Sequence, residues 1–424
     1  MNNELNLETK RHLPTYDEII KGRELLKNFV VKTPLYKSNT FSNLIGTNIF
    51  LKNEAFQKTG SFKVRGALYK IKTLSEEKMK YGIIAASAGN HAQGVAYAAT
   101  IRRIPCTIVM PIYASPAKIA AVRSYNAQVI LKGNDYDEAW TTAKEIAQTE
   151  NKTIIHAFDD SEVIAGQGSI GLELLEDLPD LDEVYLPVGG GGLAAGVAIA
   201  IKSKKRNIKI IGVESKAFPA MKESIEKGSL QTKKGEFTIA DGIAVKSPGK
   251  LTFEIAKRYL DDIVLIDDNS IVKTMFLLME RSKLVVEPAG AASLAYLLTK
   301  SLNISRHNSR TLSDKRKNVV VLLSGGNIDM YLLGQIVTKG LMQTGRLFKI
   351  FLLLHDKPGE FKNVLDSISD LGINIVEVIH DRLSYNIPTG MAGVFLSLEM
   401  ENQSYIKSLT RHLIKKGINF TIML

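Results

Sequence analysis

Lys63 stands where a lysine side chain can become a nucleophile. The turn-forming pair Thr59 and Gly60 precedes it. Apolar residues follow at helical spacing, so the sequence predicts a helix that begins beside Lys63. The positive end of a helix dipole disfavours an ammonium group, which gives this lysine a reason to lose its proton. A neutral amine can attack a carbonyl group, although a lysine next to a phenylalanine is by itself ordinary.

Two turns of small residues are candidates for binding anions. The first turn, residues 87–91, follows an apolar run, and the second, residues 189–193, follows a predicted strand that ends at Val188. Backbone N–H groups at the start of a helix can bind a carboxylate or a phosphate. Four consecutive glycines in the second turn let the chain approach an anion closely, so we predict a phosphate site there.

Ser324 and Glu214 add a hydroxyl and a carboxylate at strand ends. Ser324 follows the apolar run 318–323, and open α/β sheets bind ligands at the carboxyl ends of their strands. Residues 190–195 also fit the dinucleotide pattern Gly-x-Gly-x-x-Ala, with Glu214 about 20 residues further on. A nucleotide-dependent oxidoreductase therefore stays open at this point, although it leaves the Lys63 segment unexplained.

The elements that must position these residues alternate along the chain. Short apolar runs, read as strands, are separated by amphipathic helical patterns. This alternation is typical of an α/β architecture with a mainly parallel sheet. The predicted strands are 82–85, 106–110, 127–131, 183–188, 209–213, 262–266 and 318–323, with helices at 92–100, 137–149 and 191–202.

The pattern changes after Gly345. The remaining residues give the order β-α-β-β-α-β, which is the split, ferredoxin-like arrangement. Its strands are predicted at 347–354, 373–379, 391–398 and 419–423, with helices after Pro358 and at 404–416. We therefore predict a catalytic domain at 1–345 and a second domain at 346–424.

Composition excludes several classes of protein. The chain has 424 residues, of which 45% are hydrophobic and 23% charged, as in a soluble protein of two or three domains. Its single cysteine excludes a disulfide scaffold. No apolar run approaches the ~18 residues of a membrane span and the N-terminus lacks a signal-peptide pattern, so we expect a cytoplasmic enzyme. The net charge of +11 is dispersed, which argues against a nucleic-acid partner.

Together these segments resemble the fold-type II pyridoxal-phosphate enzymes, and within them the threonine dehydratase (threonine ammonia-lyase) family, near serine dehydratase and serine racemase. The resemblance covers about residues 13–346. It rests on Ser-x-Lys-x-Arg-Gly at 61–66, Ser-Ala-Gly-Asn-His at 87–91, Gly-Gly-Gly-Gly-Leu at 189–193, Ala-Asp-Gly-Ile-Ala-Val at 240–245 and Val-Glu-Pro-Ala-Gly-Ala at 286–291. It implies two open, mainly parallel α/β subdomains and pyridoxal 5'-phosphate as cofactor.

The resemblance also implies a role for each candidate residue. Lys63 would form the Schiff base with the cofactor and take the α-proton of the substrate. Phe62 would pack on the cofactor ring, Asn90 would hydrogen-bond its hydroxyl, and Ser324 would face its nitrogen. The phosphate would lie on Gly189, Gly190, Gly191, Gly192 and Leu193, and the substrate carboxylate on Ser87, Ala88, Gly89, Asn90 and His91.

The activity implied is dehydration and deamination of L-threonine to 2-oxobutanoate and ammonia, with lesser activity on L-serine. The implied role is the first step of isoleucine synthesis. A catabolic dehydratase, another amino-acid β-eliminase and a non-catalytic sensor are the alternatives. Ala88 stands where racemases have an acid/base serine, so we expect little racemisation. Phe218 and Ala220 stand where the racemase metal site would need an acid, so no metal is predicted.

The C-terminal segment resembles an ACT domain, a regulatory module that binds small molecules. Residues 356–360, 372–375 and 379–382 match that family, and the unit occurs once. Such domains usually pair between chains and bind an amino acid at the pairing surface. The resemblance therefore implies a homodimer or homotetramer with an amino-acid effector, isoleucine first and valine second.

Overall fold

The computed structural model describes residues 12–307, 316–402 and 404–423. The chain divides into two compact units between Asp329 and Met330. The first unit contains, in chain order, α1 (Tyr16–Leu26), β1 (Leu35–Lys37), α2 (Asn39–Ile45), β2 (Asn48–Asn53), α3 (Lys63–Thr73), α4 (Glu76–Met79), β3 (Ile83–Ala86), α5 (Asn90–Arg102), β4 (Cys106–Met110), α6 (Pro116–Arg123), β5 (Gln128–Leu131), α7 (Tyr136–Thr149), β6 (Thr153–Ile154), α8 (Ser161–Asp177), β7 (Glu183–Pro187), α9 (Gly192–Lys202), β8 (Lys209–Ser215), α10 (Ala220–Lys227), α11 (Lys250–Tyr259), β9 (Asp262–Ile266), α12 (Asp268–Leu277), α13 (Pro288–His307) and β10 (Asn318–Leu323).

Two sheets organise the first unit. The larger has the order β1-β2-β10-β7-β8-β9, and the smaller has the order β5-β4-β3-β6. Every neighbouring pair is parallel except β1 with β2, which is antiparallel. The predicted α/β class with two open, mainly parallel sheets is confirmed. Each predicted strand of this unit lies within two residues of an observed one.

Helix α8 is one of several helices, α13 among them, that the sequence patterns missed. It is buried along most of its length and packs against α3 and α9. A helix that is covered on all sides has no polar face, so it lacks the amphipathic repeat that identifies surface helices. Its glycines permit the close packing, since a Cβ on Gly171 would lie 2.7 Å from the Ala200 Cβ and 3.0 Å from the Val197 carbonyl oxygen.

A buried ionic cluster joins α3 to its neighbours. The Arg65 guanidinium donates to both carboxylate oxygens of Glu54, at 2.8 Å each, and to the Glu173 Oε1 at 2.6 Å. The Lys52 ammonium group donates to the Glu173 Oε2 at 2.6 Å. Burial raises the pKa of Glu173, but Arg65 and Lys52 outweigh it and hold that pKa below its ordinary value. These contacts fix the first turn of the helix that begins at Lys63.

The second unit contains α14 (Met330–Gln343), β11 (Leu347–His355), α15 (Glu360–Asp370), β12 (Asn374–Asp381), β13 (Met391–Glu399), α16 (Ser404–Lys415) and β14 (Asn419–Met423). Its four strands form an antiparallel sheet in the order β12-β13-β11-β14. The apolar faces of α15 and α16 complete its core. The predicted β-α-β-β-α-β order is therefore confirmed. The division between the units precedes α14, whereas the sequence placed the boundary after this helix, at Gly345.

No helix in the described ranges is both long enough and apolar enough to cross a membrane.

Candidate active site

One cavity of about 700 Å³ in the first unit is lined by every residue for which the family resemblance implies a role in the site. Its walls come from both sheets, because the turn after β3 and the turn after β7 both border it. The predicted residues that line it are Phe62, Lys63, Ser87, Ala88, Gly89, Asn90, His91, Gly189, Gly190, Gly191, Gly192, Leu193 and Ser324. The structure thus brings these side chains together, while their individual roles stay predictions.

Lys63 is the first residue of α3, as its sequence setting predicts. Its Nζ donates a hydrogen bond to the Ala157 carbonyl oxygen at 3.0 Å and lies 5.3 Å from the centroid of the Phe62 ring. Burial lowers the pKa of Lys63 to about 8, and Glu287 opposes this lowering in its ionised form. Desolvation is therefore the main cause of this lowering, and not the helix dipole that the sequence suggests. About a tenth of the amine is therefore neutral at pH 7.

The lowered pKa of Lys63 predicts that the reaction of its amine with an aldehyde depends on pH. Below a pKa of about 8 the amine is mostly protonated and cannot attack a carbonyl group. We therefore expect the rate of covalent attachment of pyridoxal phosphate to the apo-protein to rise about tenfold per pH unit there, and to level off above it. Stopped-flow absorbance at several pH values measures this rate. A rate that keeps rising towards 10.5, the ordinary pKa of a lysine, would contradict a lowered pKa for Lys63.

The glycine turn forms a cradle between β7 and α9. Gly191 caps α9 with φ +92°, a conformation that glycine adopts without strain. A Cβ on Gly191 would lie 2.6 Å from the Met221 Cε and 2.8 Å from the Thr252 Cβ. The first N–H groups of α9 have no partner within the helix and can bind an anion. The turn therefore fits a phosphate group.

Alanine at Gly191 should damage this cradle. The substitution forces a side chain into an unfavourable backbone region and into contact with Met221 and Thr252. We expect the affinity for pyridoxal phosphate to fall at least ~10-fold, the equivalent of about 1.4 kcal/mol. Fluorescence titration of the apo-protein measures it. Gly334→Ala is the matched control, because a Cβ there meets nothing within 4 Å. Equal affinities for the two variants would contradict the cradle.

Ser324 reaches the cavity because two distant segments are joined. It directly follows β10 and is buried. The Phe62 N–H donates to its carbonyl oxygen at 3.1 Å, and Ser61 forms an antiparallel bridge with Gly325. The start of α3 is thereby tied to the end of β10. A neutral hydroxyl and the Lys63 amine consequently border the same space.

The turn at 87–91 lies between β3 and α5. The Ser87 Oγ accepts from the Gly89 N–H at 3.1 Å, and α5 begins at Asn90. The His91 Nε2 donates to the Ile155 carbonyl oxygen at 3.0 Å. Burial lowers the pKa of His91 to about 3, so the imidazole is neutral. A fixed, neutral ring shapes the turn, and the N–H groups at the start of α5 remain the candidate donors to a carboxylate.

Glu287 and Asn327 are cavity residues to which the sequence analysis gave no role. The Asn90 Nδ2 donates to the two oxygens of Glu287 at 2.7 and 3.0 Å. The Asn327 Nδ2 donates to the Asn90 Oδ1 at 2.5 Å. Glu287 belongs to the motif at 286–291, and this motif was the sequence signal that could have identified it as a site residue. Asn327 had a weaker signal, since it ends the Ser-Gly-Gly-Asn sequence at 324–327 that follows β10.

Glu214 does not support the dinucleotide interpretation. Its carboxylate accepts from the N–H groups of Met221 and Lys222, both at 2.9 Å. Burial raises the pKa of Glu214 to about 7, against those two hydrogen bonds. The carboxylate therefore binds the start of α10 and is not presented to a ribose. Among the residues that the structure describes, no group of three His, Cys, Asp or Glu side chains could hold a metal.

Comparisons with known proteins agree with this site. The family described as pyridoxal-phosphate dependent enzyme matches residues 26–325. The L-threonine ammonia-lyase of Thermotoga maritima is 45% identical over 96% of this chain and 99% of its own. The catabolic L-threonine dehydratase of Staphylococcus aureus is 44% identical over 80% of this chain and 96% of its own.

A solved structure supports the same assignment. The crystal structure of a threonine deaminase from T.th. is 37% identical, with a TM-score of 0.68, and the match covers 74% of this chain and 99% of that one. The buried lysine, the glycine cradle and the neutral hydroxyl fit pyridoxal phosphate as the cofactor. The chain therefore belongs to the pyridoxal-phosphate dependent enzymes, in the fold-type II group.

Proposed function

We propose that this chain converts L-threonine to 2-oxobutanoate and ammonia, with L-serine as a lesser substrate. The observation that carries the proposal is the Lys63 amine, buried with a lowered pKa in the same cavity as a phosphate cradle and a carboxylate-binding turn. The two relatives named above as threonine ammonia-lyase and threonine dehydratase support the substrate.

Some residues of the cavity bind the substrate, and Lys63 transfers its proton. The N–H groups at the start of α5 bind the substrate carboxylate, which orients the Cα–H bond. The Lys63 Nζ accepts the α-proton, which a neutral amine can do and an ammonium group cannot. Bound pyridoxal phosphate supplies the electron sink that stabilises the charge left on the α-carbon. Ser324 offers a neutral hydroxyl and no carboxylate. This favours rapid loss of the β-hydroxyl group over a long-lived negative charge at the α-carbon.

Threonine and serine differ by one methyl group. A pocket gains only ~1–3 kcal/mol from one carbon, so serine should be turned over more slowly but measurably. Another amino-acid β-eliminase on this fold is the alternative. Ala88 leaves the opposite side of the substrate without the acid/base serine of racemases, so racemisation should be minor.

Product analysis with a panel of amino acids tests this proposal. The holoenzyme is incubated with L-threonine, L-serine and other β-substituted amino acids, and oxo acids, ammonia and enantiomers are quantified. We expect 2-oxobutanoate from threonine at the highest kcat/KM. A higher kcat/KM for a non-hydroxy amino acid, or dominant racemisation, would overturn it.

The proposed physiological role is the first step of isoleucine synthesis, in the cytoplasm. A catabolic role is the alternative, and the name of the Staphylococcus aureus relative favours it. The two roles differ in regulation, because a biosynthetic enzyme is inhibited by its end product.

The second unit is proposed to be an ACT-like regulatory domain that binds isoleucine or, second, valine. Its β-α-β-β-α-β order supports this. Strand β12 is an edge strand with the exposed apolar side chains Val376, Val378 and Ile379. Such an edge readily pairs with another chain, which supports a homodimer or homotetramer.

Effector titration and mass measurement test this regulatory proposal. Isoleucine and then valine are added during threonine turnover, and light scattering gives the molar mass of wild type and Ile379→Lys. We expect isoleucine to lower the activity and the charged variant to weaken assembly. Unchanged activity with both amino acids would contradict the effector, and an unchanged mass for the variant would contradict pairing through β12.

A further inference from the structure

Asn90 is held from both sides by a series of hydrogen-bonded side chains that ends on the backbone. The Asn327 Nδ2 donates to the Thr59 carbonyl oxygen at 2.8 Å and to the Asn90 Oδ1 at 2.5 Å. The Asn90 Nδ2 then donates to Glu287 at 2.7 and 3.0 Å. A backbone carbonyl only accepts, so Thr59 fixes which end of the Asn327 amide faces it. That choice in turn orients Asn90.

Glu287 is the one member of this series that can ionise. Its side chain is 3% exposed, and it lines the cavity with Asn90 and Asn327. The Asn90 Oδ1 already accepts from Asn327, so the amide nitrogen of Asn90 faces Glu287, whose two oxygens accept from it. Neither the binding of the substrate carboxylate nor the transfer of the α-proton requires Glu287.

We propose that Glu287 is a positioning residue, which acts through Asn90 to present an amide N–H donor to the aromatic hydroxyl of bound pyridoxal phosphate. Asn327 and the Thr59 carbonyl oxygen hold the other end of the same amide. The inference rests on the cofactor and on the predicted role of Asn90. It does not depend on which amino acid is the substrate.

The charge state of Glu287 fits this arrangement. Burial and, to a smaller extent, the nearby Asp241 raise the pKa of Glu287 to about 8, although Asn90, Lys118 and Lys63 oppose the change. A neutral acid near neutral pH accepts from Asn90 without placing a second negative charge beside an ionised ring hydroxyl. Above this pKa the carboxylate would repel that oxygen.

Pyridoxal phosphate and one analogue of it distinguish a loss of positioning from a general disruption of the cavity. Apo-protein is titrated with pyridoxal phosphate and with 3-deoxypyridoxal phosphate, which lacks the ring hydroxyl. Binding is followed by visible absorbance and by the emission of Trp140, the single tryptophan. The ring of Trp140 contacts His156, which contacts the cavity residue Phe158. The ratio of the two affinities cancels effects that both ligands share, including the protonation of Lys63.

Three variants make the test decisive. Glu287→Leu removes the acceptor and should weaken pyridoxal phosphate binding at least ~10-fold, but 3-deoxypyridoxal phosphate binding less than ~3-fold. Glu287→Gln keeps an acceptor and should stay within ~3-fold of wild type for both ligands. Glu214→Gln is the control, because it changes another buried carboxylate that does not border the cavity.

The pH dependence gives a measurement that does not require the leucine variant to fold. In wild type the affinity ratio should shift against pyridoxal phosphate as the pH rises through the pKa of about 8. In Glu287→Gln it should stay constant. Equal losses for both ligands in Glu287→Leu, or the same pH dependence in wild type and Glu287→Gln, would overturn the proposal.

Discussion

Lys63→Ala is expected to lower threonine turnover by at least ~10³-fold, because it removes the amine that we propose to hold the cofactor and to act as the base at the α-carbon. The visible absorption band of the lysine-bound cofactor should be lost as well. Steady-state kinetics with added pyridoxal phosphate and an absorption spectrum of the purified variant measure the two effects.

Lys72→Ala is the matched control for this experiment. Lys72 lies on the same helix as Lys63 and contacts the ring of Phe29. Its removal should leave the absorption band in place and change turnover little. If Lys63→Ala kept the band or most of its activity, the cofactor would have to be attached to another residue.

Arg65→Met is expected to cause the largest loss of stability, about 3–5 kcal/mol in the free energy of unfolding. The variant leaves the carboxylates of Glu54 and Glu173 buried without their main partner. Methionine fills part of the space but cannot donate to either. Urea unfolding followed by circular dichroism, after a check of reversibility, measures the change.

Arg23→Met separates this effect from the loss of any ion pair. Arg23 pairs with Glu176, and both side chains are partly exposed. Such pairs contribute only ~0–1 kcal/mol, so we expect a small change. A similar loss for the two variants would show that the buried cluster does not anchor α3. A second measurement, the cofactor affinity of Arg65→Met, reports whether the start of α3 has moved.

Local patterns were sufficient for most elements of the fold. The strands Cys106–Met110, Asp262–Ile266, Asn318–Leu323 and Asn419–Met423 were predicted with their observed bounds. Buried strands are short and continuous in apolar residues, and turns of small or polar residues bound them. The largely buried helix α8 and the antiparallel pair β1 and β2 did not give such a signal.

The candidate residues for the site also came from the chain itself. Lys63, the glycines at 189–192 and Ser324 were selected because their residue types follow strands or begin helices, where backbone N–H groups and strand ends are available. Sequence spacing could not assign the lowered pKa of Lys63 to its main cause. That cause is desolvation, which depends on the whole cavity wall.

The sequence by itself determined the alternation of strands and helices, the turns and the identity of the chemical groups. Only the tertiary structure decided which of them meet. Strand order places β10 between β2 and β7, and this brings Ser324 to the start of α3. Asn90 and Glu287 lie far apart in sequence and hydrogen-bond in the cavity. Such contacts depend on how sheets and helices pack, which local residue patterns do not encode.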